Sequence, residues 1–287
     1  MHEILAKGIL SAQNGMSLYR GCTHGCIYCD SRSKCYQMDH PFEDVAVKVN
    51  APQLLEKALK SKRAPCMIST GSMSDPYLPL ERELGLTRRC LEQILRFGFG
   101  AAVLTKSADI LRDADLLCQI NEKSKCVVEM TLTTWDEALC KKIEPNVSTT
   151  QQRLKALAQF QKLGIPTVVW LCPILPYIND TRANLQALLD ACAQVGIRGI
   201  ICFGMGVTMR EGNREYFYQQ LDRLFPGMRA QYIRKFALQY ELSSDRADML
   251  MQLFINQCQR YGIEHRVDAN FAYLREFTPR ATQTTLF

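Results

Sequence analysis

The sequence predicts an α/β protein built on parallel strands, and three observations carry that expectation. Six short apolar runs, near 16–20, 65–70, 101–105, 126–132, 167–172 and 198–203, alternate with longer stretches of helical periodicity. Helical stretches end at a glycine that is soon followed by a strand: Gly98 precedes AAVLT, Gly164 precedes IPTVVWLCPI and Gly196 precedes IRGIICFG. The runs are continuously apolar rather than alternating, as expected of parallel strands covered on both faces. Strand–helix–strand units wind right-handed. Six such strands make either an open doubly wound sheet or a barrel that is not fully closed.

The helices follow in order, near 51–62, 86–97, 108–121, 150–163, 181–195, 213–224 and 244–261. The closing glycines suit the left-handed residue that often ends a helix. Thr149 and Gln152 form T-x-x-Q, the pattern of a capping box. No Pro/Gly/Ser linker or charge block divides the 287 residues. The chain is therefore read as one domain over 1–287, with a core of about 14–240 and a C-terminal helix and tail over 241–287. The final ATQTTLF reads as a mobile or docking tail.

Composition narrows the class. With 47% hydrophobic and 22% charged residues the chain can bury a sizeable core, which excludes disordered and collagenous proteins. Thirteen cysteines cannot all pair. The opening MHEILAKGIL is too short and too charged for a signal peptide, and no apolar stretch of about 18 residues is present. A reducing, cytoplasmic setting without a membrane is expected. The net charge of +6 permits contact with phosphates without establishing it.

In either architecture the site lies at the carboxyl ends of the strands, just after residues 20, 70, 105, 132, 172 and 203. The first of these places holds GCTHGCIYCD, in which Cys22, Cys26 and Cys29 form C-x3-C-x2-C. Three readings fit. The cysteines could share one helical face, although Gly21, Thr23 and Gly25 are poor helix formers. They could hold structural zinc with Cys35, His24 or His40 as fourth ligand, although a second ligand pair is missing. They could hold an iron–sulfur cluster on three thiolates, leaving one iron open to a reactant.

The later strand ends add polar groups. Ser74, Asp75 and Tyr77 suit hydrogen bonding to an amino acid moiety or ribose. Lys106 suits a carboxylate. Thr131 and the Cys172–Pro173 segment follow. After the sixth strand come Arg210, Asn213, Arg214 and Tyr216. Arginines interleaved with aromatics over 203–237 suit phosphate contact and base stacking; the other reading is an amphipathic outer helix whose Tyr and Phe pack inward. Glu144 and Arg153 read as a structural pair, and Cys35 as a buried thiol.

With the aromatic Tyr28 before its last cysteine, the motif resembles the signature of the radical S-adenosylmethionine (SAM) enzymes. SDPYLPLE, TKSADILRD, TLTTWDEAL, EPNVSTTQQRL and PILPYIND are similar to blocks of the spore photoproduct lyase-related branch, over roughly residues 14–275. The resemblance implies a partial (β/α)6 TIM-type barrel. It implies a [4Fe–4S] cluster on Cys22, Cys26 and Cys29, with S-adenosyl-L-methionine chelating the fourth iron. It implies reductive cleavage of SAM to a 5′-deoxyadenosyl radical that abstracts hydrogen. Tyr28 would lie against the adenine, Ser74 and Lys106 at the methionine end with Asp75 beside them, Thr131 near the ribose or amino group, and Pro173 along the adenosyl pocket. A flavodoxin- or ferredoxin-type protein would supply the electron.

Two departures bear on the substrate. The DNA-repairing lyases carry a hydrogen-donating cysteine where this chain has Ser72, and a tyrosine where it has Asp30. The resemblance thus implies the chemistry more closely than the substrate. The candidates are nucleic acid, with Tyr77, Arg210 and Arg214 as contacts, or a peptide or small metabolite. A different class of reading is a metal-stabilised nucleic-acid-binding protein without catalysis.

Overall fold

The structure is a computed structural model that describes residues 1–277 and 279; the tail expected at ATQTTLF lies outside the described residues. Strands β1 (His2–Ile4), β2 (Gly15–Met16), β3 (Tyr19–Arg20) and β4 (Ala46–Lys48) precede α1 (Ala51–Ser61). Strands and helices then alternate through β5 (Met67–Thr70), α2 (Glu81–Leu84), α3 (Leu86–Phe97), β6 (Gly100–Thr105), α4 (Ala114–Lys123), β7 (Cys126–Thr131), α5 (Glu137–Ile143), α6 (Thr150–Lys162), β8 (Thr167–Trp170), α7 (Arg182–Val195) and β9 (Gly199–Ile201). The chain continues through β10 (Gly206–Thr208), α8 (Asn213–Leu224), α9 (Met228–Phe236), β11 (Glu241–Ser243), α10 (Ala247–Tyr261) and α11 (Val267–Arg275).

The main sheet has six strands in the order β2-β5-β6-β7-β8-β9, and every neighbouring pair is parallel. Spatial order follows chain order without reversal. A doubly wound sheet needs a point where the order turns back, so the two architectures separate here in favour of the partial TIM-type barrel. The outward residues Val103, Val128, Val169 and Ile200 join the apolar layer under the helices. The inward residues Met67, Ala102, Val127, Val168 and Ile201 meet Leu274 of α11, with Phe271 packed beside them.

Helix α11 thus fills the lower part of the barrel. Lys125 Nζ donates to the carbonyls of Tyr273 (2.6 Å) and Glu276 (3.0 Å) at its C-terminal end, where a cation also meets the helix dipole favourably. Asn270 donates to the carbonyls of Glu264 (3.1 Å) and Arg266 (3.0 Å). Its side chain passes so close to β9 that a Cβ at Gly199 would sit 2.0 Å from Asn270 Oδ1. Glycine is required there because the Asn270 side chain occupies the space a Cβ would take.

Some expectations change. The strand expected over 16–20 divides: Gly15–Met16 pairs with β5, whereas Tyr19–Arg20 pairs antiparallel with β4 in a separate sheet of order β1-β4-β3. The helix expected over 108–121 opens with a 3-10 segment, Ala108–Asp113, before α4. Strands β1, β4, β10 and β11 have three residues each, too few to show a period in sequence. The capping box forms as expected: Thr149 N donates to Gln152 Oε1 (2.8 Å) and Gln152 N to Thr149 Oγ1 (3.4 Å).

Candidate active site

A cavity of about 540 Å³ opens at the carboxyl ends of β5 to β9. Its wall takes Ser72, Asp75, Lys106, Thr131, Pro173 and Phe203 from successive strand ends, Tyr28 and Cys29 from the cysteine loop, and Arg210 and Tyr240 from its outer rim. The strand ends expected to matter are the ones that line it.

The cysteine loop is held from several sides. Cys22 N donates to Phe42 O (2.9 Å), and Ser74 Oγ donates to Gly21 O (2.7 Å). Gly21 takes φ +91°, and a Cβ there would meet Phe42 O at 2.4 Å. His24 lies buried with Nδ1 3.1 Å from Asn146 O and Nε2 3.1 Å from Asp75 Oδ2. Asn146 returns two bonds, from N to His24 O (3.1 Å) and from Nδ2 to Thr23 O (2.9 Å). Ile27 N donates to Ile143 O (3.0 Å). The segment Gly21–Cys29 contains no α-helix, so the cysteines do not share a helical face.

A single zinc ion fits poorly. Among the described residues, the His, Cys, Asp and Glu groups whose ligand atoms all lie within 4.8 Å of one another do not include these cysteines, whereas four ligands on one ion crowd together. Of the proposed fourth ligands, His24 is engaged as above, His40 lies against His2 (ring centroids 4.8 Å) and Cys35 is exposed. Cys35 is therefore not the buried thiol expected from sequence; its Sγ lies 3.7 Å from Arg210. Three thiols set more widely apart, two buried and Cys29 on the cavity wall, suit a larger cluster. Burial pushes the Cys22 thiol up to about 12, with Cys29 adding to it, and burial raises Cys26 well above its ordinary value. Such thiols ionise when a metal binds them.

Tyr28, Lys106 and Thr131 come together. Lys106 Nζ lies 3.4 Å from Thr131 Oγ1 and 5.9 Å from the centre of the Tyr28 ring. Burial pushes the ammonium down, but Cys26 and Glu144 outweigh it and hold the pKa above its ordinary value. Tyr28 donates to Glu144, which pairs with Arg153; both charged side chains are fully buried. Arg153 also donates to Thr131 O (2.6 Å). This pair is structural, as expected, and it anchors both Tyr28 and the end of β7. Asp75 accepts from Thr105 Oγ1 (2.6 Å), Lys106 N (2.7 Å) and Tyr77 N (2.8 Å). Burial alone would raise its carboxyl; His24 and these donors bring it down to about 2. It ties the ends of β5 and β6 to the cysteine loop.

Two residues expected at the substrate do other work. Tyr77 is buried, donates to Asp113 Oδ2 (3.1 Å) and does not line the cavity. Arg214 is buried and donates to the carbonyls of Met209 (2.8 Å), Ala237 (3.3 Å) and Gln239, because the turn after α9 presents carbonyls with no helical partner. Arg210 does reach the cavity, bonded to Tyr36 Oη (3.0 Å), Asp30 Oδ2 (3.2 Å) and Tyr240 Oη (2.9 Å). The aromatics of α8 and α9, Phe217, Tyr218, Tyr232 and Phe236, pack inward with Ile27 and Tyr28, so the amphipathic-helix reading prevails there.

Sequence reasoning missed an aromatic wall. Trp170 and Phe203 line the cavity with ring centroids 5.8 Å apart, and Phe203 is 61% exposed. Trp170 Nε1 donates to Glu129 Oε2 (2.6 Å). Glu129 is buried one pleat deeper on the inner face, and burial pushes its carboxyl up to about 7. The signal was a lone carboxylate in the apolar run CVVEMTL, which marks an inward-facing position.

The family model of the radical SAM superfamily matches residues 16–189. An uncharacterized protein of Mycobacterium tuberculosis is 28% identical over 247 residues, covering 80% of this chain and 72% of that protein. One of Methanocaldococcus jannaschii is 33% identical over 176 residues, covering 61% and 65%. Among solved structures, spore photoproduct lyase with bound AdoMet and dinucleoside spore photoproduct superposes with a TM-score of 0.63 at 14% identity, covering 86% of this chain and 74% of that one. No helix of the described residues is long and apolar enough to cross a membrane. The matched segment spans well over half of the chain and contains the three cysteines together with the strand ends after β5, β6, β7 and β8, and on that ground the chain belongs to the radical SAM superfamily.

Proposed function

We propose that this radical SAM enzyme holds a [4Fe–4S] cluster on Cys22, Cys26 and Cys29, binds SAM between Tyr28, Lys106, Thr131 and Pro173, and takes hydrogen from a nucleic-acid substrate entering beside Arg210. The observation that carries this reading is one braced loop bearing three cysteines, two of them buried behind it and Cys29 on the wall of a cavity that also holds Tyr28, Lys106 and Thr131. When bound, the cluster supplies the electron that cleaves SAM reductively to a 5′-deoxyadenosyl radical.

The protein's own residues bind and orient. The Lys106 ammonium offers its charge to a carboxylate, and the Thr131 hydroxyl turns toward the same space. The Tyr28 ring is a flat wall for a heterocycle, kept from rotating by Glu144. Ser74 and Asp75 act one step back, on the loop and on the backbone of Lys106. Deeper in the barrel, the Trp170 ring packs edge-on against Phe271 of α11, with centroids 5.8 Å apart.

Support for a nucleic-acid substrate comes from Arg210 and the exposed Phe203 and Tyr240 around the opening, and from the net charge of +6. The similar lyase fold binds a dinucleoside spore photoproduct. With Ser72 at the hydrogen-donor position, reversal of that lesion by the lyase's route is not part of the proposal. A binder without catalysis loses its main support, because the α8 and α9 aromatics face the core. The enzyme needs an electron donor, for which a flavodoxin- or ferredoxin-type protein is proposed. Thirteen unpaired cysteines support a reducing, cytoplasmic setting.

Anaerobic reconstitution with iron and sulfide tests the reading. The expected result is a brown protein with about four irons per chain. With SAM and a reductant it should release 5′-deoxyadenosine, and Cys26→Ala should lose both properties. A colourless product holding one zinc on these cysteines would overturn it.

A further inference from the structure

We propose that His2, His40 and Asp44 form a second metal site, for a divalent ion of the zinc type. It stands apart from the cysteines and does not depend on the function proposed above. The three side chains each offer a ligand atom within 4.8 Å of the others. His2 Nδ1 lies 2.9 Å from Asp44 Oδ2, and the His2 and His40 rings stand at 87° with centroids 4.8 Å apart. Ligand atoms about 2.0–2.2 Å from a tetrahedral ion lie roughly 3.4 Å from one another. The closest pair is already near that spacing, and the widest gap closes by rotation of the half-exposed His2 and Asp44 side chains.

His40 carries the independent observation. Its Nδ1 lies 3.1 Å from Pro41 O, so that nitrogen bears the proton and Nε2 keeps a free electron pair. Nε2 is buried and has no hydrogen-bond partner, its nearest charged group being the Asp39 carboxylate at 4.0 Å. A ring N–H on a backbone carbonyl with the opposite nitrogen bare is the arrangement that metal-binding histidines use. One oxygen of Asp44 pairs with the Met1 amine at 3.0 Å; the other, Oδ2, now bonded to His2 Nδ1, is the one an ion would take in place of that bond. Two imidazoles and one carboxylate suit zinc, cobalt or nickel better than magnesium or calcium.

The position gives the site a structural role. His2 belongs to β1, while His40 and Asp44 flank Phe42, whose carbonyl accepts from Cys22 N. An ion clipping this loop to β1 would brace the backbone of the first cysteine in C-x3-C-x2-C.

The test uses the full chain after anaerobic reconstitution with iron and sulfide, equilibrated with buffered zinc and freed of excess. Expected are about one zinc per chain and a zinc X-ray absorption spectrum showing nitrogen and oxygen neighbours only. His40→Ala and the gentler Asp44→Asn should each weaken zinc binding tenfold or more. Zinc should raise the melting temperature of the parent and not of these variants. Sulfur neighbours around the zinc, or equal zinc content in a His2→Ala/His40→Ala double variant, would overturn the site. Zinc with a nitrogen and oxygen shell in a protein that takes up no iron would refute the function proposed above and leave this site standing.

Discussion

The two ends of the barrel use the same strands in opposite ways. At the lower end, Met67, Ala102, Val127 and Val168 pack with Leu274 of α11. At the upper end, the same inner face continues as Thr131 and Trp170 and borders open space. The closed end is held by apolar contact and by the Asn270 side chain pressed against Gly199. The open end is held by buried polar groups that brace one another: Asp75 with His24, Glu144 with Arg153. A cavity cannot be stabilised by filling it, so its walls are fixed by hydrogen bonds and ion pairs placed behind them.

The sharpest way to break this contrast is Arg153→Met. It strands the Glu144 carboxylate in a fully buried site, which should cost about 3–5 kcal/mol and appear as a lowered denaturation midpoint. Adding Glu144→Gln should recover most of the loss; if the double variant is no more stable than the single, the pair is not the brace described.

Glu129 lies where the two regimes meet, and its effect depends on pH. The carboxyl is pushed from its ordinary 4.5 up to about 7 in the folded chain. Below pH 4.5 it is protonated in both folded and unfolded states. Between 4.5 and 7 the unfolded chain ionises while the buried group keeps its proton, so stability falls as pH rises. The loss is on the order of 3 kcal/mol across that window and levels off above it. Urea unfolding from pH 5 to 8 should show this slope in the parent and a flatter profile in Glu129→Gln.

The closed end should respond only in stability. Gly199→Ala drives a methyl group into Asn270 and should cost about 1–3 kcal/mol without changing iron per chain after reconstitution. A fall in iron uptake at unchanged stability would mean that the two ends are coupled.

The smallest effect separates two arginines that look alike in sequence. Arg210→Ala should leave folding stability within about 0.5 kcal/mol. It should weaken binding of a short single-stranded oligonucleotide, with the salt slope falling by about 0.7. Arg214→Ala should do the reverse, lowering stability because four backbone carbonyls lose a donor. Equal loss of oligonucleotide binding in both would restore Arg214 to the substrate path.

The short helices α2, α5, α9 and α11 could not be read from the sequence, whereas the seven helices of ten or more residues, the Thr149 cap, the run of parallel strands and the cysteine loop could. Each rests on local signals: a glycine past a helix end, a hydroxyl three residues before a glutamine, a run of apolar residues, three cysteines at fixed spacing. The same kind of reading failed at Tyr77, Arg214 and Cys35. There the residue type matched the expected chemistry, but the direction of the side chain did not follow from it. Tyr77 and Asp75 are two positions apart on one segment, yet one turns to Asp113 and the other to His24.

By itself the sequence determined the longer helices, the succession of parallel strands and the loop that carries three cysteines, because backbone preference and residue spacing are properties of neighbours along the chain. Only the tertiary structure decided that the strand order never reverses, that α11 seals one end, and which polar groups face the cavity rather than brace it. Those outcomes depend on contacts between residues far apart in sequence, such as Tyr28 with Glu144 and His24 with Asp75. Such contacts form only after burial has made an unpartnered polar group too costly to leave alone.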